Sequence, residues 1–316
     1  MYVDPRHLMQ LATIIDAGGF TEAAARLGTT QPALSRTIME LEKRLGEMLF
    51  IRRRRPLQPT PIGLMLAEQG RAISSATAKA SERIEQFRDG QEGSIRIGGP
   101  PYFMDAMVSG TIADFQSVNP GVRIDQINGY TVDLIALARS AQIDIAICPI
   151  DLMSHDLDLE FTPLIESRNI IACRHDHPLV SELHITAEML ISFPWIAPPP
   201  NSPLLSDLKS ALLSMGADRI QISYSATTLA SVINHLKRSE CLTVLPHSVV
   251  FSLREMGDIA TLPLELDHPK RFIGLLRSNL VAKTPAIERF SDFLVTSFKD
   301  TQDLIRRHEN VVIWGR

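Results

Sequence analysis

Residues 21–46 constrain this chain more than any other stretch. Ala23, Ala24 and Leu27 recur at helical spacing and stop at Gly28, and Leu34, Ile38, Leu41 and Leu45 recur again and stop at Gly46. Glycine just past the last periodic residue suits the positive φ that ends a helix. Thr21 and Thr30 stand where an N-cap oxygen is wanted, and Pro32 is tolerated in a first turn. A short helix, a three-residue turn and a longer helix make a helix-turn-helix, with alanines that let the two helices cross closely. Upstream, Asp4 and Pro5 read as the cap and first position of a helix through Leu8, Leu11, Ile14 and Ile15, stopped by Gly18 and Gly19.

Met48 to Phe50 can open a wing hairpin whose tip is the most basic segment of the chain, Arg52, Arg53, Arg54 and Arg55. Thr60 and Pro61 then start a helix that runs to about Phe87 with few breakers. Ile62, Leu66, Ile73, Ala76, Ala80, Ile84 and Phe87 form a stripe on a rod of ~40 Å with no local core to cover it, so a second copy of the chain is the expected cover. The polar stretch 89–94 is a boundary. The chain is therefore expected to divide into residues 1–60, a linker helix over 61–88, and a domain over 92–316.

Charge follows that division. The first 88 residues carry 13 Lys/Arg against 9 Asp/Glu, and the rest 19 against 27, so only the head is expected to meet a polyanion. On the second helix of the motif, Gln31, Pro32, Ser35 and Arg36 occupy the N-terminal turns that enter a major groove. Gln pairs with adenine N6 and N7 and Arg with guanine O6 and N7, which makes Gln31 and Arg36 the base-reading candidates. Thr30, Ser35 and Thr37 suit phosphates. The four wing arginines suit phosphates or the minor groove, with affinity falling by roughly 0.9 log units per contact as salt rises tenfold.

From Ser94 onward strands alternate with helices. Near-unbroken apolar runs such as 143–148 are expected to be buried on both faces of a parallel sheet covered by helices. Three loops at strand ends lead into helix starts: Gly99-Pro100-Pro101-Tyr102, Asn128-Gly129-Tyr130-Thr131 and Asn201-Ser202-Pro203. Free N–H groups there favour an anion or polar oxygen in one cleft, although plain capping accounts for the same residues. Cys148, Cys173 and Cys241 are too few and too far apart for a disulfide framework or zinc site, and Cys148 and Cys173 read as buried, inert thiols. His175-Asp176-His177 reads as exposed loop histidines rather than metal ligands. No GxSxG, Walker loop, GxGxxG or HExxH is present, so an enzyme is not expected. A solute-binding carrier fits the second domain alone, but a basic head and an N-terminus without a signal-peptide core speak against it. No run approaches a membrane span, and the expected compartment is the cytoplasm.

The stretch FTEAAARLGTTQPALSRTIMELEKRLGEMLFIRRRRPLQPTPIG resembles the head of the LysR-type transcriptional regulators. Ala24, Ala25 and Leu27; Gln31 to Ser35; Ile38, Leu41, Glu42, Leu45 and Gly46; Leu49, Phe50 and Arg52; Thr60 and Gly63 stand at the family's positions, and the resemblance extends over the whole chain. It implies a winged helix-turn-helix and a long linker helix, followed by an α/β effector domain built like a periplasmic binding protein. The two subdomains would span about 92–165 with 268–305, and about 166–267. It also implies a sequence-specific transcription regulator modulated by a small molecule in the interdomain cleft. Pro100, Pro101, Tyr102, Thr131, Asn201, Ser202 and Pro203, then Ala226 and Thr227, are the carried-over contacts. Tyr102 stands where the family often has Ser or Thr. Partners implied are double-stranded DNA with dyad symmetry, a second copy through the linker helix, a tetramer of two dimers, and RNA polymerase. The segments Gly-Pro-Pro-Tyr-Phe and Pro-Leu-Gln-Pro are similar to those of sugar-responsive members, which makes the effector a sugar or small organic acid. No other cofactor is expected.

Overall fold

The computed structural model describes residues 3–51, 57–89, 93–150, 159–182, 184–216, 220–264, 266, 271–281 and 283–314. Its head holds α1 (Pro5–Asp16), α2 (Phe20–Arg26) and α3 (Gln31–Leu45). The local chemistry of their ends is as expected: the Asp4 carboxylate accepts from the Arg6 N–H at 2.9 Å, and the Thr30 hydroxyl accepts from Ala33 N–H at 3.4 Å. Gly28 and Gly46 take φ of +63° and +72°. Thr21 is not a cap. The α2 helix begins one residue earlier with no side-chain cap, its first residue Phe20 held by packing on Phe50, ring centroids 5.5 Å apart. Leu11, Ile14, Leu34, Ile38, Leu41 and Leu49 close the core of this unit.

The wing begins as a hairpin: Phe50 pairs with Pro59, and Ile51 N–H donates to the Gln58 carbonyl at 2.8 Å. Glu42 ties it to α3 by accepting Leu49 N–H at 2.7 Å. Arg52 to Arg55 lie outside the described residues. Thr60 starts α4 (Pro61–Asp89) by accepting Gly63 N–H at 3.1 Å. The first turns of α4 are not bare: Ala67 and Gly70 are buried where α1 crosses, and Ile62 and Leu66 pack on the head core. The head thus covers part of the stripe expected to need a partner. Leu64, Met65 and Ile84 remain exposed.

The rest of the chain winds through β1 (Gly93–Gly99), α5 (Pro101–Phe103), a π-helical turn (Met104–Val108), α6 (Ser109–Val118), β2 (Val122–Asn128), α7 (Thr131–Arg139), β3 (Ile145–Ile150) and β4 (Leu159–Ser167). It continues through β5 (Asn169–Arg174), α8 (Ala187–Ile191), β6 (Trp195–Ala197), α9 (Pro203–Ser214), β7 (Ile222–Ser225), α10 (Leu229–Leu236), β8 (Leu242–Pro246), α11 (His247–Leu253) and β9 (Ile259–Thr261). It then returns as β10 (Arg271–Ser278) and ends in α12 (Pro285–Trp314). Among the described residues the strands form two five-stranded sheets, ordered β2-β1-β3-β10-β4 and β7-β6-β8-β5-β9. Neither is all-parallel, contrary to the pattern of buried runs. The β10 strand lies antiparallel between β3 and β4, and β5 lies antiparallel to β8 and β9. Burial on both faces needs only helices above and below, not parallel strands.

Two side chains lock the halves together. Tyr102, from the first half, belongs to the core of the second, and Phe251 of α11 belongs to the core of the first. The far end of α12 docks on α11 through His308, whose Nδ1 lies 3.0 Å from Nε2 of the buried His247. Burial, then the proximity of His308 and Arg168, pushes the His247 imidazole down to about 4. Above pH ~6.5 both folded and unfolded chains hold it neutral. As pH falls from there toward 4 the unfolded chain takes the proton first, so stability declines over that window. Denaturant midpoints measured from pH 7.5 to 4.5 should fall, and His247→Gln should flatten the slope; an unchanged slope in that variant would remove His247 as its source.

Candidate functional site

Two surfaces stand out. On the head, Gln31, Pro32, Arg36, Met39 and Glu40 are exposed along α3, while Leu34, Ile38 and Leu41 on the opposite side hold the helix to the core. Ser35 and Thr37 are half-buried beside them, with the Thr37 hydroxyl turned back to the Ala33 carbonyl at 3.2 Å. The Thr30 hydroxyl is engaged as the cap. Gln31 and Arg36 therefore project from the first turns of a rigidly seated helix, a geometry that can enter a groove and read base edges.

The second surface is a partly open cleft between the two sheets, about 560 Å³ with the solvent at its mouth included. Pro100, Pro101, Tyr102, Thr131, Ser202 and Pro203 line it, as the sequence led one to expect. Asn201, Ala226 and Thr227 do not line it; Asn201 and Thr227 are exposed, and the buried Ala226 offers its carbonyl to the Tyr102 hydroxyl at 2.7 Å. That bond joins the two halves of the domain, and burial raises the Tyr102 phenol well above its ordinary value. Tyr130 makes a second crossing with a side-chain hydrogen bond to Ser202; burial raises its phenol and the Ser202 bond opposes that. The Ser202 hydroxyl also caps α9, accepting Leu204 N–H at 3.3 Å. Thr131 Oγ1, at the first turn of α7, is buried without a hydrogen-bond partner. The π-helical turn follows directly on the Tyr102 loop, where Met104 folds over Gly99 so closely that a Cβ there would sit 2.8 Å from Met104 Cγ.

The cleft floor holds residues that the loops did not announce: Ser167 and Asn169 at the crossing from β4 to β5, Asp207 on α9, and Arg271 at the start of β10. Asp207 Oδ2 accepts from Arg271 Nη1 at 2.7 Å and from Asn169 Nδ2 at 3.1 Å. One signal was present in the sequence. Asp207 is buried on α9 with Leu205, Leu208, Ala211 and Leu212, and a charge among apolar buried positions needs a partner.

Other candidates resolve into structure. His177 is not an exposed loop residue: its Nδ1 accepts Leu179 N–H at 3.2 Å, which leaves Nε2–H to donate to the Glu240 carbonyl at 3.2 Å. Cys148, Cys173 and Cys241 are all buried, and burial pushes the Cys148 and Cys173 thiols up to about 12, far from a reactive thiolate. Among the described residues no helix is long and apolar enough to cross a membrane.

Comparison with known proteins agrees with this layout. Residues 5–64 match the family described as bacterial regulatory helix-turn-helix protein, lysR family, and residues 88–299 match the LysR substrate binding domain. The HTH-type transcriptional regulator MetR of Salmonella typhimurium is 26% identical over 259 residues, 82% of this chain and 80% of MetR. A full-length OxyR variant from Pseudomonas aeruginosa superposes with a TM-score of 0.60 at 20% identity, covering 93% of this chain and 95% of that one. Full-length CbnR complexed with its target DNA superposes with a TM-score of 0.58 at 16% identity, covering 94% and 100%. With a helix-turn-helix head and a substrate-binding domain both matched, this chain belongs to the LysR family, a sequence-specific DNA-binding transcription regulator modulated by a small-molecule effector.

Proposed function

We propose that α3 reads a dyad-symmetric site through Gln31 and Arg36, with Thr30, Pro32 and Ser35 seating it on the backbone, and that the cleft around Thr131 and Ser202 binds the effector. Arg52, Arg53, Arg54 and Arg55 are proposed to hold phosphates or the adjoining minor groove. The observation that carries the reading is the cleft itself. Two half-domains close on a cleft in which Thr131 Oγ1 is a buried hydroxyl with no protein partner, and this supports a polar ligand group there. The apolar residues left bare on α4 support a dimer through that helix, and the family resemblance supports pairing of two dimers into a tetramer and a contact with RNA polymerase. The protein acts in the cytoplasm, binds a sugar or small organic acid without turning it over, and needs no cofactor.

Capture and sequencing of genomic DNA bound by the purified protein, repeated with candidate effectors, tests this reading directly. A shared dyad whose occupancy or footprint shifts with an effector is the expected result; absence of any preferred sequence would sink it. Arg36→Ala should cost about 1–3 kcal/mol at that site and relax preference at one base. A variant that binds less well but keeps the same preferred sequence would assign Arg36 to the phosphates instead.

A further inference from the structure

Among the described residues two full charges line the cleft, Asp207 and Arg271, and they neutralise each other. Asp207 is 7% exposed, and its carboxylate is bonded to Arg271 at 2.7 Å and to Asn169 at 3.1 Å. Asp207 comes from α9, beside the second sheet, and Arg271 from β10 in the first, so the pair spans the floor of the cleft. A carboxylate entering here meets a guanidinium already engaged and an acid that repels it. Arg271 has N–H donors beyond the one that Asp207 takes, but a carboxylate that reaches them sits against the Asp207 charge, which repels it. A cation meets the mirror image. A hydroxyl can accept from the guanidinium and donate to the carboxylate while the pair stays intact. Thr131 Oγ1 offers a further unused hydroxyl. Elsewhere the lining is mostly apolar, from Pro101, Pro149, Pro246 and Ile273.

We infer that the effector is an uncharged, hydroxyl-bearing molecule with an apolar face, the chemistry of a monosaccharide or cyclic polyol, and that the Asp207–Arg271 pair selects it against carboxylates. This rests on the cleft being the effector site, as proposed above. Buried, paired charges set beside apolar surface suit such a molecule, because its hydroxyls satisfy the charges and its ring face covers the prolines.

The test is titration calorimetry on the full-length protein with neutral hexoses, pentoses and cyclitols, the matching uronic acids, and simple carboxylates. At least one neutral member should bind, and its uronic acid should bind about tenfold more weakly or worse. Asp207→Asn leaves Arg271 uncompensated, so the order should reverse by about tenfold in favour of the acid, with binding to DNA retained as the check on folding. Preference of the wild type for a carboxylate, or no binding by any neutral member, overturns the inference. If a carboxylate binds and Thr131→Val weakens it, the cleft stands as the effector site and only the charge selection falls. If a neutral sugar binds and neither Asp207→Asn nor Thr131→Val alters its affinity, the ligand sits elsewhere and both readings fall.

Discussion

Replacing Asp144 with alanine is expected to destabilise the full-length protein by about 3 kcal/mol, the low end of what is seen when one partner of a buried ion pair is removed. Asp144 is 4% exposed and lies just before β3. Its carboxylate accepts from Lys79 Nζ on α4 at 2.7 Å and from the Arg96 backbone N–H on β1 at 2.8 Å, with the Arg96 guanidinium at 3.4 Å. The same guanidinium donates to the Ala141 carbonyl at 3.3 Å, which also accepts from the Ser75 hydroxyl of α4. Ala141 itself is held at φ +52°, a left-handed conformation that a residue with a Cβ adopts only at a cost. One carboxylate therefore fastens the linker helix to the effector domain. Its loss strands two cations, although Lys79 and Arg96 keep some access to water (25% and 21% exposed side chains) and that moderates the cost. Urea unfolding followed by circular dichroism should show the loss, with Asp144→Asn in between. A change below about 1 kcal/mol, the range of surface ion pairs, would mean that α4 and the effector domain do not meet there.

The parts of the fold that the sequence disclosed are those whose cause is local. Asp4 with Pro5, Thr30, Gly28, Gly46 and Thr60 each carry the chemistry of a helix end within a few residues, and each end lies where that chemistry put it. The failures have the opposite cause. Pro163 in the middle of β4 hides that strand from a reading by residue pattern; the strand is an edge of its sheet, where a missing N–H can face away from the ladder. The insertion of β10 between β3 and β4 joins segments more than a hundred residues apart, and no short-range pattern encodes it. The cleft divides the same way. Its residues Thr131, Ser202 and Pro203 are legible from the polar loops that lead into α7 and α9, whereas Asp207 and Arg271 gain their role in the cleft from each other across 64 residues. Asn201 and Thr227 were carried over by position, and the loops around them turn their side chains to solvent.

Gly70→Ala is expected to cost about 3 kcal/mol in the stability of the head, although a helix propensity scale alone predicts the reverse. Gly70 lies inside α4, where alanine normally gains about 1 kcal/mol over glycine. What decides the sign is the crossing with α1. A Cβ at this position would run into the Leu8 carbonyl, with the carbonyl carbon 2.5 Å and Met9 N 3.1 Å away. Those are backbone atoms of a helix, so no rotamer change relieves the clash, and the two helices must separate. Overpacking of a closed core typically costs 1–3 kcal/mol, and a collision with backbone belongs at the top of that range. Separation also pulls on the Arg71–Asp16 pair at 2.6 Å, which flanks the crossing, and shifts α1, against which α2 and α3 are set. The variant should therefore lose affinity for DNA as well as stability, measured by denaturant unfolding and by mobility shift on the captured site. Gly63→Ala, which meets the Leu49 backbone in the wing in the same way, should behave alike. If Gly70→Ala instead proves as stable as the wild type, α1 and α4 do not approach this closely and the seating of α3 must come from elsewhere.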